Sequence, residues 1–213
     1  MHAQSNIVGI DVGIAKFATL STGKIYQSAH SLKAMSNRLR FQQRQLSRKV
    51  KFSQNWRKQK NKVANLYHRI ANIRLNHLHQ VTHDISKNHA IIVLEALKIK
   101  NMSKSASGTI DTPGKNVKAK AGLNRSILDQ GWGEFKRQLQ YKAAWLGGDV
   151  ILVDPKYTSQ GCPRCRDVRR ENRKTQSEFE CIACDFKANA DYVGSLNVLA
   201  AGHAVLACGE TVQ

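Results

Sequence analysis

Apolar residues recur along this chain at two spacings, one typical of strands and the other of helices. Three short runs rich in β-branched and aromatic residues, at 6–12, 17–20 and 24–27, predict an antiparallel meander. Helical spacing then predicts an antiparallel helix pair over 31–88, with a basic polar break near 50–61. The stripe expected to pack inward is Met35, Leu39, Leu46, Val63, Leu66, Tyr67, Ile70, Ile73, His77, Leu78, Val81 and Ile85.

The second half of the chain alternates between short apolar runs and amphipathic segments. Residues 90–95 and 149–154 are unbroken apolar runs, typical of buried strands. Residues 99–124 are rich in Lys, Ser, Gly and Asn and predict a long, flexible basic loop. Helices are expected over 131–146 and 192–205.

This order of elements predicts an α/β fold, with a mixed sheet and flanking helices. A three-strand meander followed by two helix-linked strands is the order of the ribonuclease H-like (RuvC-like) fold, in which the first and fourth strands are parallel neighbours. The expected organisation is a RuvC-like core over 1–157 that includes the helix pair, a cysteine-containing insert over 158–187, a final core segment over 188–206 and a tail over 207–213.

Charge is distributed unevenly along the 213 residues, whose formal net charge is +19. Residues 12–83 contain no Asp or Glu but hold 15 Lys or Arg. A solvated helix face would normally include Glu for ion pairs one turn apart, so the pattern favours a nucleic-acid partner. No apolar run of membrane-spanning length and no signal-peptide core is present, so no membrane partner is expected. The predicted nucleic-acid contacts are Arg38, Arg40, Arg44, Arg48, Lys49, Lys51, Arg57, Lys58, Lys60 and Lys62, with Phe41, Phe52 and Trp56 among them to stack on bases or to pack into the core.

Three carboxylates are expected to converge in this topology. Asp11 lies in or at the end of the first strand, Glu95 closes the strand predicted beside it, and Asp191 opens the last helix. Clustered carboxylates repel one another unless divalent cations lie among them, so two Mg²⁺ or Mn²⁺ ions are the expected catalytic cofactors for phosphodiester hydrolysis. Taken singly, each acid has another interpretation. The Asp11 turn also resembles an actin-like phosphate loop, Glu95 could pair with Lys98, and Asp191 could cap its helix.

The cysteine spacing is C-x₂-C-x₁₅-C-x₂-C, formed by Cys162, Cys165, Cys181 and Cys184. Two thiolate pairs on two turns can surround one Zn²⁺, so the spacing predicts a structural Cys₄ zinc ribbon. Gly usually follows the second cysteine of such a turn, where a positive φ is needed. This chain has Arg166 and Asp185 there, so slightly weaker zinc binding is expected. Cys208 is expected to be a buried or frayed thiol near the terminus.

Six stretches together resemble a known family. They are GIDVGIAKFATLSTG, QRQLSRK, IIVLEALKIKNM, NRSILDQGWGEFKRQLQYKA, YTSQGCPRC and NADYVGSLNVL, and they span nearly the whole chain. In this order they resemble TnpB, the OrfB-type protein of insertion sequences, and more distantly the compact type V CRISPR nucleases. The resemblance implies an RNA-guided DNA endonuclease encoded by a transposon. Asp11, Glu95 and Asp191 would be its catalytic metal ligands, and the four paired cysteines its zinc ligands.

The resemblance also implies binding partners, and this chain differs from the family at some positions. DNA, a guide RNA encoded by the transposon and a companion transposase are the expected partners, in the cytoplasm at the nucleoid. Ala96 and Val193 stand where relatives commonly carry an acid and an Asn. Relatives have well over a hundred residues before the first catalytic acid, so we expect this chain to be the C-terminal part of such a protein. Two alternatives stay open: a truncated, catalytically silent nucleic-acid-binding protein or repressor, and an actin-like ATPase, for which residues 90–155 offer no further glycine-rich phosphate loop.

Overall fold

A five-stranded mixed sheet forms the centre of the computed structural model, which describes residues 6–209. The strand order is β3-β2-β1-β4-β5. β1 pairs antiparallel with β2 and parallel with β4, so the prediction that the first and fourth strands are parallel neighbours is confirmed. Residues 1–5 of the predicted core and 210–213 of the predicted tail lie outside the described residues. The strands are β1 Ile7–Val12, β2 Lys16–Leu20, β3 Ile25–Gln27, β4 Ile91–Glu95 and β5 Asp149–Val153.

The described part of the chain contains six α-helices and a short 3-10 helix, Arg170–Asn172. The α-helices are α1 Ser31–Ser47, α2 Gln54–Asn88, α3 Ile99–Met102, α4 Val117–Gln130, α5 Trp132–Trp145 and α6 Ala190–Ala207. A small second sheet, β6 Glu178–Glu180 and β7 Lys187–Asn189, belongs to the cysteine segment. None of the helices in residues 6–209 is long and apolar enough to cross a membrane.

The two faces of the main sheet pack against different helices. Alternate residues of a strand point to opposite faces. Val8 and Ile10 of β1 and Ile92 and Leu94 of β4 therefore share a core with α2 and α5. On the other face, Val93 packs in a cluster with residues of β5 and α6.

Close approach of α6 to the sheet requires glycine. A Cβ at Gly9 would lie 2.4 Å from the carbonyl oxygen of Ser195, and a Cβ at Gly202 would lie 2.4 Å from a methyl of Val93. Both distances are well inside van der Waals contact. The absence of a side chain at these positions therefore brings the helix directly onto β1 and β4.

The predicted helix pair is present, but its boundaries differ from the prediction. The break covers only 48–53, because Ser53 caps α2 by accepting a hydrogen bond from the Trp56 amide at 3.2 Å. α1 packs on the first half of α2 through a separate cluster that includes Leu39, Val63 and Ile70. The second half of α2 joins the main core. Tyr67 and Ile73, which the stripe placed inward, are 47% and 37% exposed.

The loop predicted over 99–124 is confirmed over 103–116 and wrong at both of its ends. Residues 99–102 form α3, and α4 begins at Val117. α4 buries only Ile127 and Gln130, so apolar periodicity gives little signal for it. Asp129 of α4 also caps α1, since its carboxylate accepts hydrogen bonds from the Ser31 hydroxyl at 2.8 Å and from the Leu32 amide.

Candidate active site and metal centre

Asp11 and Glu95 lie side by side at the ends of neighbouring parallel strands. Gly9 pairs with Val93 and Ile10 with Leu94, so continuing this register sets Asp11 beside Glu95 on the α6 face. Both side chains line a cavity of about 310 Å³. The structure thus brings two of the three predicted carboxylates together from segments more than eighty residues apart.

Asp191 reaches the same cavity from the first turn of α6. The interpretation of Asp191 as the helix cap is wrong, because Asn189 is the cap and its side chain accepts from the Asp191 amide at 3.2 Å. Gly194, one turn later, is where α6 passes Asp11: a Cβ there would lie 3.2 Å from the Asp11 carboxyl carbon. All three predicted acids therefore border one cavity.

Burial and like charge act together on these acids. Desolvation, followed by repulsion from Glu95 and Asp191, raises the pKa of Asp11 to about 7. Burial also raises the pKa of Glu95, although a hydrogen bond from the Thr158 hydroxyl to Glu95 Oε1, at 2.5 Å, opposes the shift. Because burial and mutual repulsion disfavour the ionised form of these carboxyl groups, a cation that binds beside them would stabilise the site.

Among the residues that line the cavity, Thr158, Arg173 and Gln176 of the cysteine segment were not predicted from sequence. Lys16 was not predicted as a partner of Asp191 either. The charge of Arg173 opposes the rise in the pKa of Asp11 without cancelling it. Lys16 forms an ion pair with Asp191 at 3.3 Å and donates a hydrogen bond to Asn189. The suggested pairing of Glu95 with Lys98 is absent from the described residues, where Glu95 bonds to Thr158 instead.

Asn197 connects the cavity to the cysteine segment. Its side-chain amide donates hydrogen bonds to the carbonyl oxygens of Thr158, at 2.8 Å, and Gly161, at 2.7 Å. α6 therefore positions both the donor to Glu95 and the entry to the first cysteine turn.

The four predicted zinc ligands form one cluster. Their sulfur atoms all lie within 4.8 Å of one another, with Cys162–Cys184 at 3.6 Å and Cys165–Cys181 at 3.5 Å. Tetrahedral coordination at the usual Zn–S distance requires sulfur separations of about 3.8 Å, so the cluster fits one Zn²⁺. Within residues 6–209 this is the one group of three or more potential ligands arranged to hold a metal ion, and the three carboxylates are not such a group.

The two cysteine turns have the same backbone geometry. In each turn, the amide after the second cysteine donates to the carbonyl of the first, Arg166 to Cys162 and Asp185 to Cys181, both at 2.9 Å. Arg166 has φ 62° and Asp185 has φ 54°, so the expected positive φ is confirmed at both positions. Cys208 is exposed, so the alternative of a buried thiol is wrong.

A buried asparagine ties the cysteine segment together. The side-chain amide of Asn172 donates to Asp167 Oδ2 at 3.1 Å and to the Gln160 carbonyl, and its carbonyl accepts from the Ile182 amide at 3.0 Å. Phe179 is buried against Phe186. Apart from the cysteines, the apolar core of this segment is small.

The ten predicted nucleic-acid contacts are spread over α1, residues 48–53 and the start of α2. All ten side chains are exposed, and none forms an ion pair within the described residues. Residues 31–62, which contain all ten of these side chains, therefore present a cationic surface without an acidic residue.

Two family models match the chain. Residues 1–106 match the OrfB_IS605 family, described as "Probable transposase", and residues 132–198 match the "Cas12f1-like, TNB domain" family. "Putative RNA-guided DNA endonuclease InsQ" of Escherichia coli (strain K12) is 57% identical over the whole chain, which covers 53% of that protein. "Putative RNA-guided DNA endonuclease" of Streptomyces pristinaespiralis is 34% identical over 99% of the chain, which covers 49% of that protein. The chain belongs to the OrfB/TnpB family of insertion-sequence proteins, and it spans about half the length of these relatives.

A solved structure gives the same architecture. "Cryo-EM structure of the Cas12f1-sgRNA-target DNA complex" aligns over 93% of this chain and 50% of that chain, with a TM-score of 0.59 and 20% sequence identity. At this identity the similarity establishes a shared fold, a mixed sheet flanked by helices, and nothing about individual residues.

Proposed function

We propose that this chain is the RuvC-like nuclease part of a transposon-encoded, RNA-guided DNA endonuclease, and that its chemistry is hydrolysis of DNA phosphodiesters dependent on Mg²⁺ or Mn²⁺. One observation carries the proposal. Asp11, Glu95 and Asp191 come from three distant segments and border one cavity, at an energetic cost that divalent cations would offset.

The residues of the cavity have distinct roles in this proposal. Asp11, Glu95 and Asp191 would hold two Mg²⁺ or Mn²⁺ ions, which when bound would activate a water and stabilise the leaving oxygen. Thr158 orients the Glu95 carboxylate through its hydrogen bond. Lys16 and Arg173 supply positive charge at the rim, which would favour entry of a phosphodiester.

The cysteine segment would hold the structural metal ion of the protein. One structural Zn²⁺ on the four paired cysteines would stabilise the ribbon over 158–187, between the core over 1–157 and the final core segment over 188–206. The ribbon contributes Arg173 and Gln176 to the cavity, so its folding would bear on catalysis.

The cationic helix pair would bind nucleic acid beside this site. DNA and a guide RNA are the partners named for the relatives, and a companion transposase on the same element and a cytoplasmic, nucleoid-associated location belong to the same proposal. Basic side chains that contact phosphates would give binding with a strong salt dependence.

Asp11→Asn tests the proposed chemistry, with Asp111→Asn in an exposed loop as the matched control. Millimolar Mg²⁺ should raise the unfolding temperature of wild-type protein and of the control, and Asp11→Asn should lose this shift. Nicking of plasmid DNA, with and without RNA from the expressing strain, should disappear with Asp11→Asn only. An unchanged shift and unchanged nicking in Asp11→Asn would overturn the assignment. Salt-sensitive DNA binding by wild-type protein without any Mg²⁺-dependent nicking would favour the silent, binding-only alternative.

A further inference from the structure

The tip of the helix pair, residues 48–53, presents an aromatic ring to solvent from an unfavourable backbone conformation. Phe52 has φ 66°, in the left-handed region that favours glycine, and its side chain is 72% exposed. Val50, two residues earlier, is 79% exposed. Bulky residues rarely adopt this conformation without a compensating gain.

Packing within the chain does not supply that gain. The one ring contact of Phe52 in the described residues is with Trp56, at a centroid distance of 5.5 Å and a tilted angle of 54°. Most of the Phe52 ring stays in contact with solvent. Glycine would fit the turn with less strain. Because the Phe52 ring packs so little within the chain, contact with a partner explains its presence better than packing does.

The base of the tip is braced, so the ring is held in place. Ser53 caps α2, and the buried Gln59 donates hydrogen bonds to the Gln42 side chain at 2.7 Å and to its backbone carbonyl at 3.0 Å. Lys60 lies over the Trp56 ring at 5.3 Å. Phe52, which precedes α2, thus contacts Trp56 in the first turn of the helix, and Lys60 lies over the same Trp56 ring one turn further on.

Charge complementarity identifies the partner as a polyanion. The exposed cations Arg48, Lys49, Lys51, Arg57 and Lys58 flank Phe52, in a segment with no acid. Cations beside an exposed aromatic face are the combination with which proteins bind single strands, because the cations contact phosphates and the ring stacks on a base. Duplex bases already stack on one another and offer no free face except at an end.

We propose that Phe52 is a stacking residue for an unpaired nucleobase, held outward by the strained tip while the surrounding cations bind the adjoining phosphates. This proposal rests on the nucleic-acid binding proposed above and adds the type of contact and the strand state. Leu78, where α2 joins the main core, lies about 36 Å along the helix from Gln54, so the tip acts in binding and not in catalysis.

Three substitutions distinguish the contribution of the Phe52 ring from that of its strained backbone. Phe52→Tyr keeps both, Phe52→Leu keeps the strain but removes the ring, and Phe52→Gly removes both. Binding is measured by fluorescence anisotropy with a short oligothymidylate and with its abasic tetrahydrofuran counterpart. The two oligonucleotides carry the same phosphates, so their affinity ratio reports base contact alone.

Wild-type protein and Phe52→Tyr should prefer the base-bearing oligonucleotide by about fivefold to a hundredfold. Phe52→Leu and Phe52→Gly should lose most of this preference, and Phe52→Gly should do so without a lower unfolding temperature. Equal preference in Phe52→Leu and Phe52→Tyr would overturn the proposal, as would a preference that survives in Phe52→Gly. Because Leu and Tyr share the strained backbone, that comparison holds even if one substitution alters stability.

Two further outcomes distinguish the stacking role of Phe52 from the nucleic-acid binding on which that proposal rests. If wild-type protein binds both oligonucleotides equally and with salt dependence, the stacking role is overturned, whereas the proposed nucleic-acid binding by this surface is supported. Binding of neither would overturn both. Phe52-dependent binding to phosphatidylserine–phosphatidylcholine vesicles, without base preference, would instead identify the tip as a lipid contact.

Discussion

The cysteine cluster and the carboxylate cavity are two candidate metal centres built on opposite principles. The cysteines occupy two turns with the same hydrogen bond and with positive φ at the same position, and the second turn is the loop of the β6–β7 hairpin. The carboxylates come from β1, β4 and α6, and no two of them are near in sequence. The first centre would hold its own segment together, whereas the second depends on a fold that already exists.

The two centres also differ in how much room they leave. Four thiolates within 4.8 Å can complete the coordination of one soft ion and leave no position for substrate. The carboxylates border a cavity of about 310 Å³, whose volume leaves room for water and a phosphate. A closed thiolate site is expected to stabilise the folded segment, whereas an open carboxylate site is expected to take part in catalysis.

This difference predicts opposite stability effects on losing a ligand. A zinc ligand stabilises the folded chain, so its removal should unfold the ribbon. A carboxylate held among other carboxylates is unfavourable without metal, so its neutralisation should stabilise the metal-free protein. The predictions below test this contrast.

Cys181→Ser should have the largest effect. Cys181 is buried, and structural Zn²⁺ contributes apparent free energies of roughly 10–16 kcal/mol in small zinc domains, which exceeds what this small segment can gain from its own core. We expect zinc to fall well below one ion per chain and hydrogen-exchange protection to disappear over 158–189. The matched control is Cys208→Ser, an exposed thiol outside the cluster, which should retain zinc and protection. Full protection in zinc-free Cys181→Ser would show that the ribbon folds without metal.

Asp11→Asn should stabilise the protein in Mg²⁺-free buffer with zinc left in place. The folded-state pKa of Asp11 is raised to about 7 from its ordinary value of 3.8, so the folded protein binds this proton more tightly than the unfolded chain. Wild-type stability should therefore fall, relative to Asp11→Asn, as pH rises from about 4 to about 7. The gap should reach roughly 2–4 kcal/mol above pH 7. Urea denaturation across this range measures it, and parallel curves for the two proteins would contradict the prediction.

Thr158→Val should weaken the carboxylate centre without removing a ligand. It deletes the hydroxyl that bonds to Glu95 Oε1, which should raise the Glu95 pKa further. Loss of a hydrogen bond to a metal ligand typically costs 10- to 100-fold in metal affinity, so we expect a weakening of about that size for Mn²⁺ in calorimetry. Thr22→Val in an exposed turn should bind as wild type does. Equal affinity in both variants would show that Thr158 does not orient Glu95.

The two centres were not equally predictable from sequence. The cysteine spacing is local, so the pattern alone predicted the ligand cluster and even the positive φ at Arg166 and Asp185. The meeting of Asp11 and Glu95 required a topological argument, because it depends on β1 and β4 being parallel neighbours in a register that no local pattern specifies.

What the sequence did not predict is mostly non-local. Lys16 reaches Asp191 from β2, and Thr158 and Arg173 reach the cavity from the cysteine segment. No spacing in the sequence indicates these contacts, since they form only when α6 packs on β1. α4 was missed for a different reason: it buries little, so its apolar pattern is weak.

Arg166→Gly should have the smallest effect and distinguishes the two cysteine turns. Arg166 and Asp185 occupy equivalent positions with positive φ, but Asp tolerates that conformation more readily than Arg. Arg166→Gly should therefore stabilise the zinc-bound ribbon by about 1 kcal/mol, and Asp185→Gly by less. Competition with a chromophoric zinc chelator, together with local hydrogen exchange, measures the change in stability of the ribbon in each variant. A larger gain at Asp185, or a loss at Arg166, would mean that side-chain contacts rather than backbone strain set the stability of the turns.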